Sequence, residues 1–222
     1  MKLAALISGG KDSMFSIHRA LQAGHEVTHL VTIIPDNKDS YMFHSANIHL
    51  TELISGACGI PLVSETSSGE KEKELSDLKR ALSHVDVEGV IAGAIESEYQ
   101  ASRVRNICDE LGLELYAPLW HNEPESLVRE MAGCMDIRMV KVAAGGLDES
   151  WLGRRFDDKL VDDLLALHRK YRIHLAGEGG EYETLVLDAP FFRKRIELLE
   201  VERVWMGDHG MLRVVKAGLV GK

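Results

Sequence analysis

The segment Leu3-Ala4-Ala5-Leu6-Ile7-Ser8-Gly9-Gly10-Lys11-Asp12-Ser13 constrains this chain more than any other, because an apolar run stops at two glycines and resumes as an amphipathic stretch. Lys2 to Ile7 is too short for an ordinary helix and reads as a strand of a covered parallel sheet, whereas Met14, Ile17 and Leu21 recur at helical spacing. Gly9 and Gly10 permit positive φ and let backbone N–H groups approach an anion, and the start of the following helix adds unpaired N–H groups and a positive dipole end. Lys11 contributes a point charge, and Ser8 and Ser13 contribute hydroxyls, so the turn is suited to phosphate. It is not a Walker A loop, which needs glycine and Ser or Thr where Ala5 and Asp12 stand, and no G-x-G-x-x-G is present.

Strand and helix patterns alternate as far as residue 120. Glu26–Ile34 reads as a second strand, Asn47 as the cap of a helix carrying Leu50, Leu53 and Ile54, and Pro61–Glu65 as a third strand. A helix with Leu75, Leu78 and Leu82 follows, then a covered strand Gly89–Ile95, a helix ending at Gly112 and the segment Leu115–Trp120. This order predicts an α/β fold, a parallel sheet with helices on both faces. Beyond Trp120 the texture changes: a helix over Pro124–Ala132, a strand over Asp136–Val142, a helix over Asp157–Lys170, and an antiparallel pair around Gly207–Gly210. The boundary near 120 therefore separates a nucleotide-binding unit, residues 1–120, from a smaller α+β unit, residues 121–222.

The formal charge of −9, from 35 acidic against 26 basic residues, disfavours a broad nucleic-acid face. No apolar run reaches the roughly 18 residues needed to span a bilayer, and the N-terminus carries no cleavable pattern. Cys58, Cys108 and Cys134 are too dispersed for a zinc ribbon and read as buried thiols. A cytoplasmic protein without membrane contact is expected, and a homodimer is compatible with this composition.

The second unusual run is Gly177-Glu178-Gly179-Gly180-Glu181-Tyr182-Glu183-Thr184, with three acids and three glycines around one aromatic residue. Three glycines are entropically wasteful in a regular element, so the backbone of this loop must follow a particular path.

Ser8 to Ser13 resembles the pyrophosphate loop of the N-type ATP pyrophosphatases. Taken with Met42-Phe43-His44, Gly93 to Gln100, Pro118-Leu119-Trp120 and Gly177 to Thr184, the chain resembles the diphthine–ammonia ligase family and its archaeal members over residues 8 to 188. The resemblance implies an adenine nucleotide alpha hydrolase-like (Rossmann-like) fold. It also implies amidation of diphthine on elongation factor 2 with ATP and ammonia, giving diphthamide, AMP and pyrophosphate through an acyl-adenylate. Fungal and animal members are expected to carry long additional C-terminal domains, with the match ending near Phe191.

On this resemblance Ser8, Gly9, Gly10, Lys11, Asp12 and Ser13 hold the ATP phosphates, and Asp12 positions Mg²⁺. Ile33, His44 and Gly93 lie near the nucleotide, although Ile33 taken alone reads rather as plain core. Glu178, Glu181 and Glu183 are candidate bases for ammonium, alongside Lys11 and Asp12 in the catalytic set. Glu96, Ser97, Tyr99, Arg103, Trp120, Gly179, Gly180, Tyr182 and Thr184 form the candidate substrate surface. Within it Tyr99, Trp120 and Tyr182 could supply faces for the quaternary ammonium of diphthine. Two other readings stay open: another AMP-forming ligase or tRNA thiolase with the same ATP chemistry, or an ATP-binding sensor without turnover.

Overall fold

The structure is a computed structural model and describes residues 1–35, 46–68 and 71–222. Strand β1 (Lys2–Leu6) runs into helix α1 (Lys11–Gln22), followed by β2 (Glu26–Pro35), a short 3₁₀ turn (Ile48–Leu50), α2 (Thr51–Cys58) and β3 (Leu62–Ser67). The first half ends with α3 (Lys71–Ser83), β4 (Gly89–Ile91), α4 (Glu98–Leu111) and β5 (Glu114–Tyr116). The second half contains α5 (Pro124–Cys134), β6 (Asp136–Val142), α6 (Asp158–Tyr171), β7 (Tyr182–Asp188), β8 (Arg195–Trp205) and β9 (Gly210–Val220).

The first sheet is parallel, in the order β3-β2-β1-β4-β5. Side-chain alternation divides β1 between two faces. Leu3 and Ala5 join the core made with α1 and α2, and Ala4 joins the one made with Leu78 of α3 and Val104 of α4. The expected parallel sheet with helices on both faces is thus present. The second sheet is antiparallel, in the order β7-β6-β9-β8. Its inner residues, with α5 and α6, belong to the same continuous core as α1 and α2. Among the described residues no helix is long and apolar enough to cross a membrane.

Four local expectations are corrected. Strand β4 stops at Ile91, opposite Ala5 of β1, instead of at Ile95, and the chain beyond passes against the start of α1 at Gly93. Asn47 has a left-handed backbone and makes no cap bond. Its side chain instead donates to the Leu212 carbonyl at 2.9 Å and accepts from the Val214 N–H at 2.8 Å, tying this segment to β9. The acidic loop ends at Glu181, because Tyr182 to Thr184 pair with β6 as the first residues of β7. Helix α6 begins one residue late for a simple reason: Asp157 is its N-cap, accepting from the Leu160 N–H at 2.9 Å.

Candidate active site

Helix α1 starts where the sequence places it, but its first turn is completed from far along the chain. Gly9 adopts φ +86° and Gly10 is the N-cap, without a side chain to satisfy the first amides. The missing acceptor comes from β7: the Lys11 N–H donates to Thr184 Oγ1 at 3.0 Å in a buried setting. The Val186 N–H donates to the Gly9 carbonyl at 2.9 Å, and a Cβ on Gly9 would stand 2.8 Å from Ile54 Cδ1. Gly9 is therefore also a packing position, with its carbonyl taken up by β7. The Met14 N–H to Gly10 carbonyl bond is the first of the helix, so the Asp12 and Ser13 amides belong to the turn that has no carbonyl partner within it.

Lys11 is buried, only 3% exposed. Its Nζ donates to Asp12 Oδ2 at 2.9 Å and to the Ala176 carbonyl at 2.5 Å, and lies 5.1 Å from the centroid of the Tyr182 ring. The ammonium thus joins the glycine turn to the acidic loop. Asp12 Oδ1 is buried without a hydrogen-bond partner. The Ser13 hydroxyl donates to the Gly10 carbonyl at 3.1 Å, and the Gly10 N–H reaches Ser8 Oγ at 3.4 Å.

These groups wall one side of a cavity of about 340 Å³, a volume within the range of small-molecule sites. The glycine turn contributes Ser8, Gly10, Lys11, Asp12 and Ser13, and the acidic loop with the start of β7 contributes Gly177, Glu178, Gly180, Tyr182, Glu183 and Thr184. Leu6, Val31, Ile33, Leu78, Ala101 and Val104 form an apolar end between the sheet and helices α3 and α4. Ile33 is both core and cavity wall. Gly93 also lines the cavity, and a Cβ there would come within 2.9 Å of the backbone at Asp12 and Ser13. Its missing side chain admits the start of α1.

The three loop acids have different surroundings. Glu183 Oε1 pairs with Lys141 Nζ at 2.6 Å, and its Oε2 accepts from the Ala46 N–H at 2.7 Å. Glu181 Oε1 accepts from the His174 N–H at 2.7 Å, beneath Gly179, where a Cβ would lie 2.8 Å from that oxygen. Glu181 and Gly179 are not among the cavity-lining residues, and the Glu181 carboxylate shapes the loop through His174. Glu178 faces the cavity, and its Oε2 accepts from the Glu96 N–H at 3.2 Å.

The aromatic candidates have different surroundings. Tyr182 lines the cavity, but its hydroxyl donates to the Leu175 carbonyl at 2.5 Å and its ring already has the Lys11 ammonium beside it. Burial holds its phenol well above the usual tyrosine pKa, and the charges of Asp12, Glu181 and Glu178 add to this. Trp120 packs against His121 at 4.9 Å between ring centroids and lies outside the described cavity lining, as do Ser97 and Arg103. Glu96 lies at the rim through Glu178. His44 lies outside the described residues, and Tyr99 is placed at the start of α4 by its backbone alone. Sequence reasoning missed Lys141 and His174, since neither stands in a motif; only the pairing of β6 with β7 and the turn after α6 bring them to the acids.

Residues 1–115 match the family model described as the diphthamide synthase N-terminal domain, and residues 123–220 match that of its C-terminal domain. Similarity therefore continues well past Phe191. Diphthine–ammonia ligases of Rattus norvegicus and Homo sapiens are each 39% identical over 220 residues, covering 88% of this chain and 82% of theirs. That of Schizosaccharomyces pombe is 39% identical over 225 residues, covering 92% of this chain and 37% of its own length. This chain thus spans little more than a third of the fission-yeast relative but most of the mammalian ones, so the expected long extensions do not extend to these animal members. With both halves matched and the glycine turn and the acidic loop lining one cavity, the chain belongs to the diphthamide synthase family of diphthine–ammonia ligases.

Proposed function

We propose that this protein is an AMP-forming carboxylate–ammonia ligase that amidates diphthine on elongation factor 2 in the cytoplasm, consuming ATP and ammonia. The observation that carries this reading is the shared cavity, lined by both a phosphate-suited turn and a carboxylate-rich loop. The net charge of −9 favours a protein substrate over a nucleic acid.

A carboxylate is a poor acyl donor near neutral pH. Attack of its oxygen on the α-phosphorus of ATP expels pyrophosphate and leaves an acyl-adenylate, and attack of ammonia on the carbonyl carbon then expels AMP with the former carboxylate oxygen. Phosphate positioning and charge neutralisation dominate such a first step. The Asp12 and Ser13 amides at the start of α1 supply directed N–H groups, Lys11 supplies charge, and the apolar end of the cavity suits a purine.

Asp12 fits a divalent cation, because its Oδ1 is buried without a partner and a lone carboxylate completed by substrate phosphates is an ordinary Mg²⁺ environment. Bound there, Mg²⁺ would supply neutralisation of phosphate charge. Glu178 is the best placed of the three acids to take a proton from ammonium: Glu183 is neutralised by Lys141, and Glu181 is directed into its own loop. Residues 1–120 then serve the nucleotide and residues 121–222 the protein substrate. Mass measurement of diphthine-containing elongation factor 2, incubated with this protein, Mg-ATP and ammonium, tests the assignment. Conversion of carboxylate to amide with stoichiometric AMP is expected; an unchanged factor, or ADP as product, would overturn it.

A further inference from the structure

We infer that His174 is a positioning residue for this site, pinning the acidic loop to the turn after β4 so that the Ala176 carbonyl and the Glu178 carboxylate reach their partners. The residue lies between α6 and β7, at the start of the segment that crosses the cavity. Its Nδ1 faces two N–H donors, from Ala176 at 3.2 Å and Glu178 at 3.5 Å. A ring nitrogen that accepts carries no proton, so in the neutral imidazole the proton resides on Nε2. That nitrogen lies 3.2 Å from Glu96 Oε2, an acceptor supplied by the first half of the chain. The backbone N–H of the same residue donates to Glu181 Oε1 at 2.7 Å.

One side chain therefore organises the loop internally through Nδ1 and fastens it externally through Nε2. Two contacts of the site depend on the result. The Ala176 carbonyl receives the Lys11 ammonium at 2.5 Å, and Glu178 Oε2 receives the Glu96 N–H at 3.2 Å. His174 is not among the cavity-lining residues, so it acts through Ala176, Glu178 and Glu96 and not on reacting atoms. The catalytic part of this inference rests on the ligase reading; the loop geometry does not.

The test compares three substitutions in the full chain. His174→Asn retains an acceptor at the Nδ1 branch, His174→Gln replaces the ring with an amide that reaches towards Glu96, and His174→Ala retains neither. Hydrogen exchange is read at the Ala176 and Glu178 amides. Exchange about tenfold faster in His174→Ala and His174→Gln, with near-normal protection in His174→Asn, is expected from loss of the Nδ1 acceptor alone. Steady-state AMP formation with the diphthine-bearing factor should fall roughly tenfold to a hundredfold in His174→Ala and recover in part in His174→Asn. Unchanged exchange in His174→Ala, or rescue of both amides by His174→Gln, would overturn the proposal. Should His174→Ala fail to fold, the contrast between the Asn and Gln forms decides it. Absence of amidation by the wild-type protein would count against the ligase reading alone, with amide exchange still deciding the role of His174.

Discussion

The contact that most directly joins the two halves of the sequence is the hydrogen bond from the Lys11 N–H to Thr184 Oγ1, and its removal can be quantified. Thr184 is 5% exposed, and Gly10 at the N-cap of α1 makes no side-chain cap bond. Replacing Thr184 with Val keeps the branched shape but takes away the acceptor, leaving a buried first-turn N–H unsatisfied. Loss of a cap or of a buried acceptor costs about 1–2 kcal/mol. With a urea dependence of about 2 kcal/mol per molar, the midpoint of unfolding should fall by about 0.5–1 M. Thr184→Ser retains the hydroxyl and should lose less than about 1 kcal/mol, the value of one buried methyl. Nucleotide titration of the same proteins should show weaker ATP binding for Val and little change for Ser, because the amides of Asp12 and Ser13 move with Lys11. Equal stability and ATP affinity in Val and wild type, or equal damage by Ser and Val, would refute the reasoning.

Other outcomes follow from the same geometry. Gly93→Ala places a Cβ 2.9 Å from backbone atoms of Asp12 and Ser13 that have no rotamer with which to yield; a loss of about 1–3 kcal/mol in urea melts, with weakened ATP binding, is expected. Tyr182 has a folded pKa held above its unfolded value by burial, so its contribution is fully present below about pH 10 and is lost as pH rises from there through the folded value. Melts from pH 9 upwards should show a decline that Tyr182→Phe lacks. Burial pushes the Cys58 thiol up to about 12 and the Cys108 thiol up to about 11, so thiol reagents at pH 8 should leave both intact in the native protein and modify both in urea.

How far the site could be read in advance varies residue by residue. The strand, glycine turn and helix at the N-terminus are legible from Leu3 to Ser13, because the period of apolar residues and the placement of glycine are local properties. The spacing around Asp136–Val142 likewise predicts β6 with its observed bounds. The helix ends and strand ends were less legible, since Asn47 and the Gly93 segment answer to neighbours distant in sequence. The roles within Gly177–Thr184 were least legible of all. Composition treats Glu178, Glu181 and Glu183 alike, yet one faces the cavity, one holds its own loop and one is neutralised by Lys141.

By itself the sequence determined a parallel α/β unit with a phosphate-suited turn, a second α+β unit, and two motifs that had to meet for either to make chemical sense. Only the tertiary structure decided how they meet: Thr184 completes the first turn of α1, the Lys11 ammonium spans to Ala176, and Tyr182 lies beside that ammonium. The physical reason is the range of the forces involved. Backbone conformation and amphipathic periodicity are set by neighbours within a few residues, whereas the partner of a buried charge or amide is whichever group the packed core delivers, 165 and 173 positions away in these two bonds.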